Sequence, residues 1–372
     1  MEHKIGHSFD SLAQRILYYY AGTFPKFIPV PSKDASEHSQ EQMYQFMKGM
    51  VEKLYRQPEL LNLPMIPDDS YQDWELQKTK PELIQTMRKY IQKIDEFYLV
   101  LFHLGELGQV KSRACARDHQ LHLLKSDLKI TGKMLSTLGQ LGLLSESYKE
   151  EWIFRCDEYD DIFPAWQLLV SNASKNSQNQ LLFFSRCIFD TGYFHTGDIF
   201  ESLVNNQPAF RMLTDYFRQN GYERVDFREN EISLDWVKNY AKKAEPLKAS
   251  WAERTHGGIS IYYDYRKKNQ IIFGLRVPHF KELLAQFAEM DDPLKELIIT
   301  RTKKCDHCGY CTQTDKTGTR KPQIVTVTHQ GEYHLCPFFP GFSYIWTSLD
   351  DKGASDIMKL LSFIDRVFST TN

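Results

Sequence analysis

Residues Gly257 to Val277 read GGISIYYDYRKKNQIIFGLRV. Two runs rich in β-branched and aromatic residues, Ile259 to Tyr265 and Gln270 to Val277, flank a short polar turn, which predicts two consecutive strands of one hairpin. A parallel doubly wound sheet would separate its strands by crossovers of a dozen or more residues, usually helices. The stretch therefore places the middle of the chain in the α+β class, with an antiparallel hairpin at 259–277.

Outward from the hairpin, FRMLTDYFRQNGYERVDF (Phe210 to Phe227) predicts a helix ended by Asn220-Gly221 and then a short strand. Ser233 is expected to cap a further short helix running to about Lys243. Pro278 is expected to start a helix over HFKELLAQF, with Asp292-Pro293 capping and opening the next. The Ser/Asn-rich stretch in AWQLLVSNASKNSQNQLLFF (Ala165 to Phe184) marks a loop between helices or a linker.

The first 145 residues or so read as helical. Met43, Phe46, Met47, Met50, Val51 and Leu54 fall on one helix face, and Ser39 with Gln42 has the form of a capping box for it. A second helix is expected from Pro81, carrying Ile84, Met87, Ile91, Ile94, Tyr98 and Leu101 inward, with a proline-rich irregular segment between the two. Lys129 to Leu144 predicts a short amphipathic helix stopped by Gly142, followed by the extended KEEWIFRCDEY. A helix ending in L-x-x-L-G-L before a strand resembles the reading head of winged-helix DNA-binding domains, which implies a DNA-binding regulator. Only Lys129 and Lys133 would supply cations there, far short of the phosphate contacts that dominate such affinity. Packing within a helical domain is the favoured account. At the other end, Ile357, Leu360, Leu361, Ile364, Val367 and Phe368 form a stripe that a terminal helix must bury.

A chain of 372 residues implies two or three domains. The expected division is a mainly helical domain at 1–164 with a winged-helix-like end, an α+β domain at 165–300, and a cysteine-rich module with the terminal helix at 301–372. With 46 basic against 48 acidic residues, no global polyanion binder is indicated. No signal-peptide pattern opens the chain and no apolar run approaches the 18 or so residues of a membrane span, so a cytoplasmic protein is expected. Clustered cysteines in a reducing compartment point to metal or redox chemistry rather than disulfides.

KCDHCGYC (Lys304 to Cys311) supplies such a cluster. Cys305-x-x-Cys308 followed by glycine has the form of a zinc knuckle, two thiolates on a tight turn reaching one ion. The hairpin expected over PQIVTVTHQGEYHLC, turning at Gln330-Gly331, would return Cys336 to the knuckle. Cys311 is the favoured fourth ligand of a structural zinc. His334, which shares a strand face with Cys336, is its rival. The spacing Cys305-x-x-Cys308-x-x-Cys311 with Cys336-Pro337 also resembles the bacterial ferredoxin ligand run, which implies an iron–sulfur cluster instead. A four-cysteine zinc has no open position, so its expected role is to fold a zinc-ribbon-like module. Around it Arg301, Lys303, Lys304, Lys316, Arg320 and Lys321 outnumber Asp306 and Asp315. These cations either offset the thiolates or touch an anion such as nucleic acid. Cys115, Cys156 and Cys187 are isolated and are expected to be inert thiols.

Phosphate-loop, dinucleotide, nucleophile-elbow and two-histidine metal motifs are not recognisable in the sequence. His195, in DTGYFHTGD, and His256, in WAERTHGG, are the candidate general bases should the chain be an enzyme with a cleft between its helical and α+β parts; a loop or turn histidine is the plainer reading of each. The leading reading is a zinc-stabilised multidomain binding or regulatory protein; its partner is not named by the sequence, a protein being the first candidate and a nucleic acid a weaker one.

Overall fold

The computed structural model describes residues 9–68, 81–112, 119–192, 198–204, 206–225, 232–240, 256–264, 270–305, 312–314, 320–322, 324–336 and 344–369. The chain divides into two compact units. One is Met1–Leu203 with Glu229–Ile232 and Asp264–Asn269; the other is Val204–Arg228, Ser233–Tyr263 and Gln270–Asn372. Helix and sheet are mixed in both, and every strand pair whose register is described is antiparallel, in keeping with the α+β class.

The first unit begins with α1 (Leu12–Gly22) and α2 (Glu37–Arg56). The α2 stripe is buried as its periodicity requires, with Met43, Met47, Val51 and Leu54 fully out of solvent. Its cap differs from expectation: Ser36, not Ser39, accepts from the Ser39 amide. Ser39 lies inside the helix, where its hydroxyl donates to the Asp161 carbonyl. A 3₁₀ turn at Pro58–Leu61 then leads toward α3 (Pro81–Leu107), the long helix expected from Pro81.

Strands β1 (Gln109–Ser112) and β2 (His119–Leu124) precede α4 (Gly132–Gln140), and β3 (Leu144–Tyr148) and β4 (Glu151–Arg155) follow it, forming a sheet in the order β1-β2-β4-β3. Helix α4 is shorter than expected because Thr131 caps it, which leaves Lys129 outside the helix. Of the two cations expected on that helix, Lys133 lies within it and Lys129 just before its cap. At the β3–β4 turn Lys125 donates to the Lys149 carbonyl and lies over the Trp152 ring, so that lysine is engaged within the sheet.

Helices α5 (Ile162–Ser174) and α6 (Gln180–Ser185) complete the core, with the polar Ser/Asn stretch between them as expected, and α7 (Asp198–Leu203) follows. Trp166 of α5 is fully buried, stacks on Phe163 and donates to the Leu101 carbonyl at 3.1 Å. Helix α3 meets it at Gly105, where a Cβ would lie 2.3 Å from the indole, so only glycine allows this approach. Two arginines are also buried here. Arg15 pairs with Asp68, and Arg186 lies over the rings of Tyr19 and Tyr20 while donating to Thr23.

The second unit is built on a five-stranded sheet. It comprises β5 (Glu223–Val225), β6 (Ser233–Asn239), β7 (His256–Asp264), β8 (Gln270–Arg276) and, from near the end of the chain, β13 (Ile345–Trp346), in the order β13-β8-β7-β6-β5. Strands β7 and β8 are the sheet neighbours expected from the opening stretch. Before β5 runs α8 (Gln207–Gln219), which ends at Asn220 and Gly221 as predicted. The helix expected after Ser233 is instead strand β6. Residues Ile232 to Trp236 alternate apolar and polar side chains, the period of a strand, and Ile232 to Val237 are all buried, polar ones included.

Helix α9 (Phe280–Ala285) follows His279, and α10 (Asp292–Arg301) is capped by Asp291 rather than Asp292, its carboxylate accepting from the Leu294 amide. After α10 come two small hairpins, β9 (Thr312–Thr314) with β10 (Arg320–Pro322), and β11 (Val325–Thr328) with β12 (Glu332–Leu335). The terminal helix α11 (Asp351–Ser369) buries Ile357, Leu360, Leu361 and Ile364 completely, packing on α8 and α10. No helix among the described residues is long and apolar enough to cross a membrane.

Candidate metal centre

Strand β12 pairs with β11 through the register Val325↔Leu335 to Thr328↔Glu332, and Gln330 takes a left-handed conformation in the turn. The same strand makes a second contact on its other edge. Lys304 bridges to Leu335, flanked by the Cys305 amide donating to the His334 carbonyl and the Cys336 amide donating to the Lys303 carbonyl, both at 2.9 Å. This pattern makes Lys304 and Leu335 a non-hydrogen-bonded antiparallel pair. Because side chains alternate across a strand, Lys303, Cys305, His334 and Cys336 then share the opposite face.

Cys305 and Cys336 are diagonal neighbours in that register, with Cα atoms roughly 7–8 Å apart by sheet geometry. Two thiolates so placed are within reach of one ion at a metal–sulfur distance of about 2.3 Å. Cys336 is buried and Cys305 is half-buried. Cys308 and Cys311 lie outside the described residues, as does His195. Among the described residues no three metal-binding side chains converge, and two of the four expected ligands fall within them.

His334, the rival ligand, is exposed. Its Nδ1 is 3.1 Å from the Thr326 hydroxyl across the hairpin, and its Nε2 is 3.4 Å from a Glu332 oxygen. Both ring nitrogens thus have partners on the hairpin itself.

Of the cations expected around this cluster, Arg301 is occupied. Its guanidinium lies 4.1 Å from the Trp346 ring centroid and donates to the Ile345 carbonyl, and burial pulls its pKa down. Lys303 and Lys304 are exposed. The aromatics expected to cover the cluster divide likewise. Tyr344 is fully buried and shares a hydrogen bond with Thr302, and Trp346 sits in β13, so both belong to the main sheet; Phe338, Phe339 and Phe342 lie outside the described residues. Cys156 and Cys187 are buried, and burial pushes both thiols up, leaving them protonated at neutral pH as their isolation implied.

His256 is the first residue of β7 rather than part of a turn, paired opposite Asn239 and buried. Two polar clusters in the same unit escaped the sequence reading. Arg276 donates to Asp235 at 2.9 Å and to Ser260 at 2.8 Å across β6, β7 and β8. On the neighbouring edge Tyr240 donates to Asp365 at 2.7 Å, and Lys238 reaches the same oxygen. Since the Tyr240 proton is committed to that carboxylate, Tyr222, 2.9 Å away, must donate to Tyr240. Burial holds both phenols far above their ordinary pKa, so they remain neutral donors. These partners stand 16 to 127 residues apart in sequence, beyond the range of any local spacing rule.

No protein-family model, curated protein or solved structure matches the chain.

Proposed function

We propose that the cysteine module holds a structural zinc ion through Cys305, Cys308, Cys311 and Cys336, forming a zinc-ribbon-like element, and that the protein is cytoplasmic and acts by binding other proteins. The observation that carries the metal assignment is the Lys304–Leu335 bridge, which places Cys336 on the same face as the first cysteine of the Cys305-x-x-Cys308-x-x-Cys311 run. The partners of both His334 ring nitrogens favour Cys311 as the fourth ligand. Four thiolates complete a tetrahedral zinc with no open position, so the ion contributes folding energy and no bound water. The binding role rests on this single structural metal and on the lack of a recognisable catalytic motif in the sequence.

Elemental analysis with an absorption spectrum, on protein purified without oxygen, tests the metal. The expected result is about one zinc per chain and a featureless visible spectrum. Iron with inorganic sulfide and a brown absorbance would replace zinc with a cluster and make redox chemistry the function. Cys336→Ser is expected to lose the metal and loosen β11 and β12 in hydrogen exchange, whereas Cys187→Ser keeps full occupancy. Affinity capture with the zinc-loaded chain tests the binding role; catalytic turnover as its only activity would displace that reading.

A further inference from the structure

The loop that leads from the 3₁₀ turn toward α3 lies against the start of α1 and fastens it. The Ile66 carbonyl accepts from the Leu12 amide at 2.8 Å, and Asp68 holds the buried Arg15. The loop is tied in turn to α3, whose Tyr90 hydroxyl donates to the Pro64 carbonyl at 2.8 Å. The same carbonyl accepts from the Ile66 amide at 3.0 Å, so Met65 stands at the tip of a three-residue turn. Its side chain reaches water, with the residue 50% exposed, whereas Met43, Met47, Met50, Met87 and Met290 are buried.

The Met65 thioether is nevertheless held on one side. The Ser11 hydroxyl donates to its sulfur at 3.5 Å, while the same oxygen accepts from the Gln14 amide at 3.2 Å and caps α1. Ser11 is fully buried, so the sulfur lone pair it engages points inward. A thioether sulfur has a second lone pair, and the exposed half of Met65 presents that one to water. Attack on a peroxide through one lone pair or the other gives sulfoxides of opposite configuration at sulfur. With the inward lone pair engaged by a buried hydroxyl, one configuration alone is open.

We propose that Met65 is a reversible oxidation site that forms a single sulfoxide epimer and, once oxidised, loosens the start of α1. The outward lone pair attacks one oxygen of hydrogen peroxide, and the S–O bond forms as the O–O bond breaks. The proton of the transferred oxygen passes to the departing hydroxide, which leaves as water; sulfur is oxidised by two electrons and the peroxide is reduced. The product sulfur is electron-poor and a worse acceptor, and its new oxygen faces water, so the Ser11 hydrogen loses its partner. A buried donor left without an acceptor weakens the packing around it, here the junction between the loop and α1. A reductase specific for that epimer restores the thioether.

Treatment of the full chain with hydrogen peroxide, followed by peptide mass spectrometry, tests the site, the two epimers being told apart by the two epimer-specific methionine sulfoxide reductases. Met212, 40% exposed on α8, is the internal control. One epimer is expected to exceed the other by at least about tenfold at Met65, against a near-equal mixture at Met212. Ser11→Gly, a change that costs a helix start little, is expected to bring Met65 to a near-equal mixture as well. Oxidation is expected to speed hydrogen exchange of the Leu12 amide about tenfold. Peroxide also attacks thiolates, so Met65→Leu is treated in parallel, and its Leu12 exchange is expected to stay unchanged. Equal epimers at Met65 in the parent, a single epimer that survives Ser11→Gly, unchanged Leu12 exchange in the oxidised parent, or equally faster exchange in Met65→Leu would each overturn the proposal.

Discussion

Gly258→Ala is expected to destabilise the second unit by about 3–5 kcal/mol or more, a large part of the 5–15 kcal/mol that holds an ordinary domain. Two effects add. Gly258 has φ +142°, a conformation that side chains rarely adopt, at a cost of about 1–3 kcal/mol. Its Cβ would also stand 1.9 Å from the Trp236 carbonyl oxygen and 3.0 Å from the Val237 Cα. Those atoms are backbone of β6, paired with β7 by the register Val237↔Gly258, so relief requires the strands to part. Gly274→Ala on β8 is the control, because its Cβ meets only ordinary contacts at 3.7 and 3.8 Å. Urea unfolding followed by near-UV circular dichroism should separate the two variants clearly. Equal midpoints would mean that β6 and β7 do not approach in this register.

In the first unit, Asp68→Ala should produce a loss of about 3–5 kcal/mol, the usual cost of removing one partner of a buried ion pair. Arg15 donates through Nε and Nη2 to the two Asp68 oxygens at 2.5 and 2.6 Å, and the two side chains are only 4% and 0% exposed. With the carboxylate gone, the guanidinium keeps the face of the Phe9 ring, 5.0 Å away, which offsets little of its desolvation. The pair as a whole need not be stabilising. Arg15→Met with Asp68→Leu is therefore expected to recover most of the loss or to exceed the parent. A double variant as unstable as Asp68→Ala alone would show that the pair has a role beyond neutralising itself.

Helix α2 was legible because one of its faces is buried and the other wet. Met43, Met47, Met50 and Leu54 repeat at helical spacing, and the structure buries all four. Helix starts were less so: Ser36, Ser39, Asp291 and Asp292 all have capping side chains, and which one caps depends on where the preceding chain turns. Strand β6 was misread for a different reason. The alternation Ile232-Ser233-Leu234-Asp235-Trp236 is the period of a strand, but Ser233 also has a capping side chain, and Arg276, the partner that lets Asp235 be buried, lies some forty residues away. Residues Lys304 to Cys336 lie between these cases. The β11–β12 hairpin and its turn were predictable from composition, but the bridge from Lys304 to Leu335 joins residues that no local pattern connects.

The clasp between Thr302 and Tyr344 bears on how this chain can be altered. Those two residues share a hydrogen bond of 2.9 Å, Arg301 reaches the Ile345 carbonyl, and the Tyr344 carbonyl accepts from the Leu275 amide of β8. The stretch between Thr302 and Tyr344 begins and ends at this clasp, and its described part also meets the body of the unit where β11 packs on α9 and where His329 approaches Asp292. The cysteine excursion is thus topologically a graft: its two ends are already neighbours, and a few residues of linker would span them. It is the segment that a lineage could lose, enlarge or exchange with the least disturbance to β8, β13 and α11, and the segment to transplant when its chemistry is wanted in another host.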